Sequence, residues 1–282
     1  MTMAPLTFGP LAVMGGGNMA TAIVRGGIAA GILDPRHVIV CEPDPLKRAS
    51  LAELGILTTD RHAKAAEAGW PILLAVKPQS FAGLADQLRL LLSAEPRLAI
   101  SILAGTEAAS IHTALGRSIR IVRVMPNTPV SIRRGVSAIC RGPGATDADL
   151  DLTETLFASV GSTIRIDESM MNAATAVVGS GPAYVYYLAE AMIAAAIDAG
   201  FDPDAADRLV RGTIEGAALL LATSSPTPPA TLREGVTSKG GTTAAAIAVL
   251  DQAAVSQAIR KAVIAARDRG AELAQLAKAR PA

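Results

Sequence analysis

The chain has 282 residues, 50% hydrophobic, 3% aromatic and 18% charged, with a formal net charge of +1. That length accommodates two domains with proper cores, and a balanced charge without a basic run excludes nucleic acid and anionic membrane as implied partners. Two cysteines, Cys41 and Cys140, lie far apart in apolar strand-like segments and read as reduced core residues of a cytoplasmic protein.

Residues 1–10 lack a basic region and a long apolar stretch, so no secretory signal is expected there. Leu11, Ala12, Val13 and Met14 then read as a short buried strand. It runs into Gly15, Gly16, Gly17, Asn18, Met19 and Ala20 and a helical pattern to about residue 31. This is G-x-G-x-x-A in the strand, turn and helix context that a dinucleotide pyrophosphate requires. Gly15 permits the turn, Gly17 lets the backbone approach the ligand, and Ala20 keeps the helix close to the sheet. Alone, the motif would serve equally as a structural turn.

Apolar runs recur at 37–41, 70–76, 98–103 and 119–125, separated by helical stretches. Runs that are uniformly apolar suit parallel strands covered on both faces, and the β-α-β order predicts a Rossmann-type doubly wound α/β sheet. Ligands of such sheets sit beyond the carboxyl ends of the strands. There the sequence places Ala75, Val76, Lys77 and Pro78, then Ile102, Leu103, Ala104 and Gly105, then Met125, Pro126, Asn127, Thr128 and Pro129. Glu42 follows the second strand, 22 residues after Ala20. A carboxylate there suits an adenosine ribose 2′-hydroxyl and repels a 2′-phosphate, which argues for NADH over NADPH. Lys47 and Arg48, close by, could offset that repulsion, and the turn Glu42-Pro43-Asp44-Pro45 also suits a plain exposed loop. Both cofactors stay compatible.

Segments 135–141 and 162–166 read as the last strands, with a helix over 146–159 between them. Beyond Asp167 the pattern is helical: 170–178, 182–199, 203–223, 229–234, 243–250 and 252–279, with Pro182, Pro203 and Pro229 placed as first-turn prolines. The expected domains are therefore a dinucleotide-binding domain over 1–166 and an all-α domain over 167–282. The most apolar stretch, 183–201, carries Glu190 and Asp198 and reads as a buried helix rather than a membrane span. Helices apolar on more than one face imply packing against another subunit.

Between the Pro-rich loop (Pro226, Pro228, Pro229) and an Ala-rich helix lies Val236-Thr237-Ser238-Lys239-Gly240-Gly241-Thr242-Thr243. Two glycines and several hydroxyls at a helix N-terminus form a set of anion donors suited to a carboxylate. The same residues would also make a simple cap and turn. The histidines His37, His62 and His112 all fall in the first half, and no lysine or histidine lies between Asp167 and Lys239. Reducing a carbonyl to an alcohol calls for a proton donor. A cyclic imine already carries its proton near neutral pH, so the site has chiefly to position the ring. Tyr184, Tyr186 and Tyr187 remain available as donors.

The chain resembles the pyrroline-5-carboxylate reductase family. The matching segments are the Gly15–Ala20 turn, Ala75-Val76-Lys77-Pro78-Gln79, Val124-Met125-Pro126-Asn127-Thr128-Pro129, Gly179-Ser180-Gly181-Pro182-Ala183-Tyr184 and, above all, Val236 to Thr243. The resemblance implies reduction of 1-pyrroline-5-carboxylate to L-proline with NADPH or NADH, in an interlocked homodimer that often assembles into a ring of five dimers. It places Ser238, Gly240, Gly241 and Thr242 on the substrate carboxylate and Thr243 at the ring nitrogen, as the catalytic hydroxyl. Gly181 and Pro182 would line the same pocket. Gly15, Gly16, Gly17, Asn18, Met19 and Ala20 would hold the pyrophosphate, while Glu42, Ala75, Val76, Lys77, Pro78, Ile102, Leu103, Ala104 and Asn127 would complete the cofactor site. No metal is implied. Lys239 stands where many relatives carry proline, and His62 where they often carry asparagine. Alternatives are a broader imine or β-hydroxyacid reductase on the same scaffold, or a nucleotide-sensing protein without turnover.

Overall fold

A computed structural model describes residues 8–92 and 95–278. The expectation for residues 1–10 rests mostly on residues outside those described, as does the final residue of the helix expected over 252–279. The chain divides into two compact units, one formed by residues up to Ser180 together with those from Ala266, the other by Gly181–Ala265.

The first unit is built on eight strands: β1 (Leu11–Met14), β2 (Val38–Cys41), β3 (Leu57–Thr59), β4 (Ile72–Leu74), β5 (Arg97–Ser101), β6 (Ile119–Met125), β7 (Gly135–Arg141) and β8 (Gly161–Arg165). Its helices are α1 (Asn18–Ala29), α2 (Pro45–Ala52), α3 (His62–Ala66), α4 (Phe81–Leu88), α5 (Ala108–Leu115), α6 (Asp147–Ala158) and α7 (Met171–Ala174). The strand order is β3-β2-β1-β4-β5-β6-β7-β8. All neighbours pair in parallel except β6 with β7. The exception has a local cause. A short 3-10 turn, Thr128–Ile132, links β6 to β7 without a crossover helix, so the chain can only reverse direction. The twelve residues of α6 then carry the chain back, and β8 lies parallel to β7.

The uniformly apolar strands are buried on both faces. Leu11 and Val13 join one core cluster with Val38, Val40, Leu73, Ile100 and Val122. Ala12 and Met14, pointing the other way, join Ile39, Cys41, Ile72, Leu74 and Ile121. All four residues of β1 are fully buried, which makes this strand the axis of the sheet.

The second unit holds α8 (Gly181–Asp198), α9 (Pro203–Thr223), α10 (Pro229–Gly235), α11 (Thr242–Gln252) and the first part of α12 (Val255–Lys278). Asp202 caps α9 through the Ala205 N–H at 2.9 Å, with Pro203 in its first turn. Helix α8 packs on α9, yet none of its residues is buried in a single chain. The helix expected to be buried over 183–201 thus has only half-buried and exposed residues in a single chain. Among the described residues, no helix is long and apolar enough to cross a membrane.

Candidate functional site

The strand order reverses between β1 and β4, the place where doubly wound sheets take ligands beyond the carboxyl ends of their strands. The glycine turn closes that end of β1. Gly15 has φ 104°, and a Cβ on it would lie 2.8 Å from the Ala75 carbonyl oxygen. The turn and the tip of β4 therefore touch, and only glycine fits. A Cβ on Gly16 would meet the Glu42 side chain and Leu51, both at 3.0 Å. A Cβ on Gly17 would meet nothing within 4 Å. Gly17 is also the N-cap of α1, and no side chain caps that helix. The start of α1 thus has no side-chain cap and open space at Gly17, which fits a dinucleotide pyrophosphate. Ala20 is buried beneath, as close helix–sheet packing requires.

Around this turn the expected rim residues fall at the strand ends. Ala75 and Val76 are half-buried after β4, and Lys77 and Pro78 are exposed beside them. After β5, Ile102 is half-buried and Ala104 exposed. The Leu103 side chain is 2% exposed and belongs to the core, so only its backbone can face a ligand. Asn127 is 9% exposed, and its side-chain oxygen accepts a hydrogen bond from the Val136 N–H at 2.9 Å, which fixes the connection between β6 and β7.

Glu42 is buried, not a solvated turn residue. One carboxylate oxygen accepts the Gly16 N–H at 2.9 Å and the other the Asp44 N–H at 3.0 Å. The spacing to Ala20 pointed to this residue, but its clamp on the glycine turn comes from the fold. Asp44 caps α2 through the N–H groups of Leu46 and Lys47. Arg48 donates from Nη1 to the carbonyl oxygens of Glu42 and Pro43, each at 2.8 Å. An Asp-Pro pair ahead of a helical run signals such a cap, which sequence reasoning had passed over. Next to this loop, burial first, then the charges of Glu42 and Asp60, push the Cys41 thiol up to about 11. Burial and then Glu168 push Cys140 up to about 12.

In the helical unit, Ser238, Lys239, Gly240 and Gly241 form a tight turn closed by the Gly241 N–H on the Ser238 carbonyl at 3.0 Å. Gly240 takes φ 73°, the left-handed conformation such a turn demands. A Cβ on Gly241 would lie 2.4 Å from the Ser238 hydroxyl, so the second glycine brings that hydroxyl onto the mouth of α11. Gly241 is the N-cap of α11, and no side chain caps this helix either. Thr242 and Thr243 begin it, with Thr243 half-buried. Thr237 stands apart, because its hydroxyl donates to the Arg233 carbonyl at 2.6 Å. The result is a helix N-terminus with free N–H groups ringed by hydroxyls, able to hold a carboxylate. Gly181 and Pro182 start α8 of the same unit. Lys239 and the Ser238 residue as a whole are exposed. His62 bonds Gln87 through Nδ1 at 3.0 Å.

A separate cavity of about 330 Å³ lies over β7, β8 and α6, lined by residues such as Arg141, Arg165 and Asp167. Its arginines are engaged by Asp147, Asp151 and Glu154, and it includes none of the expected site residues.

Comparison with known proteins joins the two halves. Residues 168–273 match the family described as pyrroline-5-carboxylate reductase dimerisation, and residues 10–105 that described as NADP oxidoreductase coenzyme F420-dependent. The pyrroline-5-carboxylate reductase of Haemophilus influenzae is 37% identical over 267 residues, 94% of this chain and 98% of the relative. This chain belongs to the pyrroline-5-carboxylate reductase family. The reductase of Pisum sativum is 33% identical, over 93% of this chain and 95% of its own. Among solved structures, that of the Coxiella burnetii reductase superposes with a TM-score of 0.88 at 34% identity, covering 95% of this chain and 99% of that one. The Plasmodium falciparum pyrroline carboxylate reductase, solved with NADP bound, gives 0.84 at 28% identity over 94% and 98% of the two chains.

Proposed function

We propose that this protein reduces 1-pyrroline-5-carboxylate to L-proline, the last step of proline biosynthesis, with NADH or NADPH as reductant. The observation that carries this reading is a pair of helix N-termini without side-chain caps, α1 beneath Gly17 and α11 behind Gly240 and Gly241. The first suits a pyrophosphate, the second a small carboxylate ringed by hydroxyls. When bound, the nicotinamide supplies a hydride.

The chain's own residues would do the positioning. Gly15, Gly16, Gly17, Asn18, Met19 and Ala20 hold the pyrophosphate, and the rim from Ala75 to Pro78 and from Ile102 to Ala104 flanks the cofactor. Ser238, Gly240, Gly241 and Thr242 hold the substrate carboxylate, and Gly181 with Pro182 lines the ring. Thr243 hydrogen-bonds the ring nitrogen. Hydride addition to a protonated imine neutralises its charge, so no strong acid is required. This agrees with the lack of lysine and histidine between Asp167 and Lys239. We assign residues 1–166 to cofactor binding and 167–282 to substrate binding and dimerisation in a cytoplasmic homodimer, with assembly into five dimers as its extended form.

The test is oxidation of NADH and NADPH by racemic 1-pyrroline-5-carboxylate, followed by loss of nicotinamide absorbance. Thr243→Ala removes one hydrogen bond to the reacting ring, and kcat/KM is expected to fall by roughly 10- to 100-fold. Folded protein without turnover on this imine, with either cofactor, would overturn the assignment.

A further inference from the structure

We infer that the loop after β2 selects the dinucleotide without a 2′-phosphate, that Glu42 is the discriminating side chain, and that NADH is the preferred reductant. This deepens the reductase reading and rests on the same crevice. The Plasmodium falciparum relative was solved with NADP bound, so the two dinucleotides have to be compared directly on this chain.

Three observations on separate groups agree. Glu42 directly follows β2 and is 7% exposed, with its two oxygens held by the Gly16 and Asp44 N–H groups. A carboxylate so fixed cannot swing away from a phosphate. Each oxygen, having accepted one N–H, keeps a second lone pair, which suits a ribose hydroxyl proton. A 2′-phosphate brings only acceptors and negative charge to that position.

A bound phosphate would have to recruit donors, and several of those at this loop are already engaged. The N–H groups of Leu46 and Lys47, at the start of α2, both point to the Asp44 carboxylate at 2.9 and 3.4 Å. That helix terminus therefore presents a carboxylate where a phosphate would need open N–H groups. Arg48, the cation bound into the loop, directs Nη1 to the carbonyl oxygens of Glu42 and Pro43. Its role is to hold the backbone that carries Glu42. Lys47 and Arg61 flank the loop as exposed side chains, and their attraction is weakened by solvent. A fixed, buried carboxylate outweighs mobile cations in water.

Calorimetric titration of the full chain tests this without relying on turnover, using NADH, NADPH, 5′-AMP and adenosine 2′,5′-bisphosphate. The last pair differ only in the 2′-phosphate. NADH and 5′-AMP are expected to bind at least about tenfold more tightly than their phosphorylated counterparts, a ratio that like-charge repulsion readily supplies. Glu42→Gln should collapse the ratio mainly by strengthening the phosphorylated ligands. Arg48→Ala should leave the ratio within about twofold, since its role is in the loop backbone rather than at a phosphate. Equal or tighter NADPH binding by the wild-type chain overturns the inference and needs no variant to show it. Selective loss of NADPH binding in Arg48→Ala overturns it too. A wild-type chain that prefers NADH but reduces no imine would sink the reductase reading while this inference stands.

Discussion

A methyl group added at Gly15 would strike the Ala75 carbonyl at a φ of 104°, whereas one added at Gly17, two residues on, would meet nothing. The first glycine is demanded by the protein, and the second, on the reading proposed above, by the pyrophosphate that approaches it. Gly15→Ala should therefore lower stability by roughly 2–3 kcal/mol, from left-handed strain plus the clash. Gly17→Val, in an extended conformation any residue adopts, should keep its melting temperature within about 4 °C, the shift that ~1 kcal/mol causes in a chain of this size. The same variant should lose nucleotide binding, and calorimetry beside thermal melting separates the two effects. The cysteines yield a second expectation at this scale. With Cys41 pushed up to about 11 and Cys140 to about 12 by burial, almost no thiolate exists at neutral pH. A colorimetric disulfide reagent should find essentially no reactive thiol in the folded chain and both thiols in denaturant. Rapid labelling of either under native conditions would contradict the buried placement.

Helix α6 shows how one residue can tie an element to the sheet. Thr146 and Asp149 form a reciprocal capping box at its start, and Asp149 also takes two bonds from Arg120 of β6 at 2.9 and 3.0 Å. Burial acts to raise the Asp149 pKa, but the Arg120 and Thr146 bonds outweigh it and the net shift is downward. A carboxyl whose pKa falls on folding stabilises the fold above its unfolded value and loses that contribution as pH falls through the folded one. Asp149→Asn should cost about 2 kcal/mol in urea unfolding at neutral pH. The gap between variant and wild type should narrow below pH ~4, near the unfolded carboxyl value. A gap that persists unchanged into acid would assign the loss to shape instead of charge. Elements of this kind were legible in the sequence. The run 203–223 reads as a helix from Pro203 and returns as α9 with the same bounds, and the apolar β1, β2, β4, β5 and β6 read as strands because both their faces are buried. Strand β3 did not, since Leu57, Thr58 and Thr59 give three residues with no period to detect. The π-helical turn Thr175–Gly179 was also beyond reach. Gly179 there packs against the Met125 side chain, a tertiary contact with no local sequence signal. At the crevice the glycine turn was legible by spacing, while the clamp of Glu42 on Gly16 joins residues 26 apart and had to come from the fold.

In a single chain the helical unit leaves Tyr187 75%, Val249 64% and Leu220 58% exposed, on α8, α11 and α9 respectively. Large apolar side chains on three helices of one unit form a surface that a soluble monomer does not keep open. The family description matched by residues 168–273 names a dimerisation region, and a second copy of this chain is the occupant proposed above. Wild-type protein should therefore sediment at twice the chain mass or a multiple of it. Tyr187→Asp and Leu220→Asp, tested separately, should shift it to single chains while preserving helical circular dichroism. In the monomer these positions are solvated, and a surface change costs within about 0.5 kcal/mol. In the interface each buries an unpaired carboxylate, which costs several times more. The separated chains also report on how the site is divided. The glycine turn and Glu42 belong to one unit of one chain, so monomeric variants should retain nucleotide affinity within about threefold, as expected for substitutions far from that contact. Imine reduction should fall far more steeply if the Gly240–Thr243 turn serves the crevice of the partner copy. Monomers with full turnover would place the whole site within one chain, and wild-type protein sedimenting at the single-chain mass would remove the basis for a shared one.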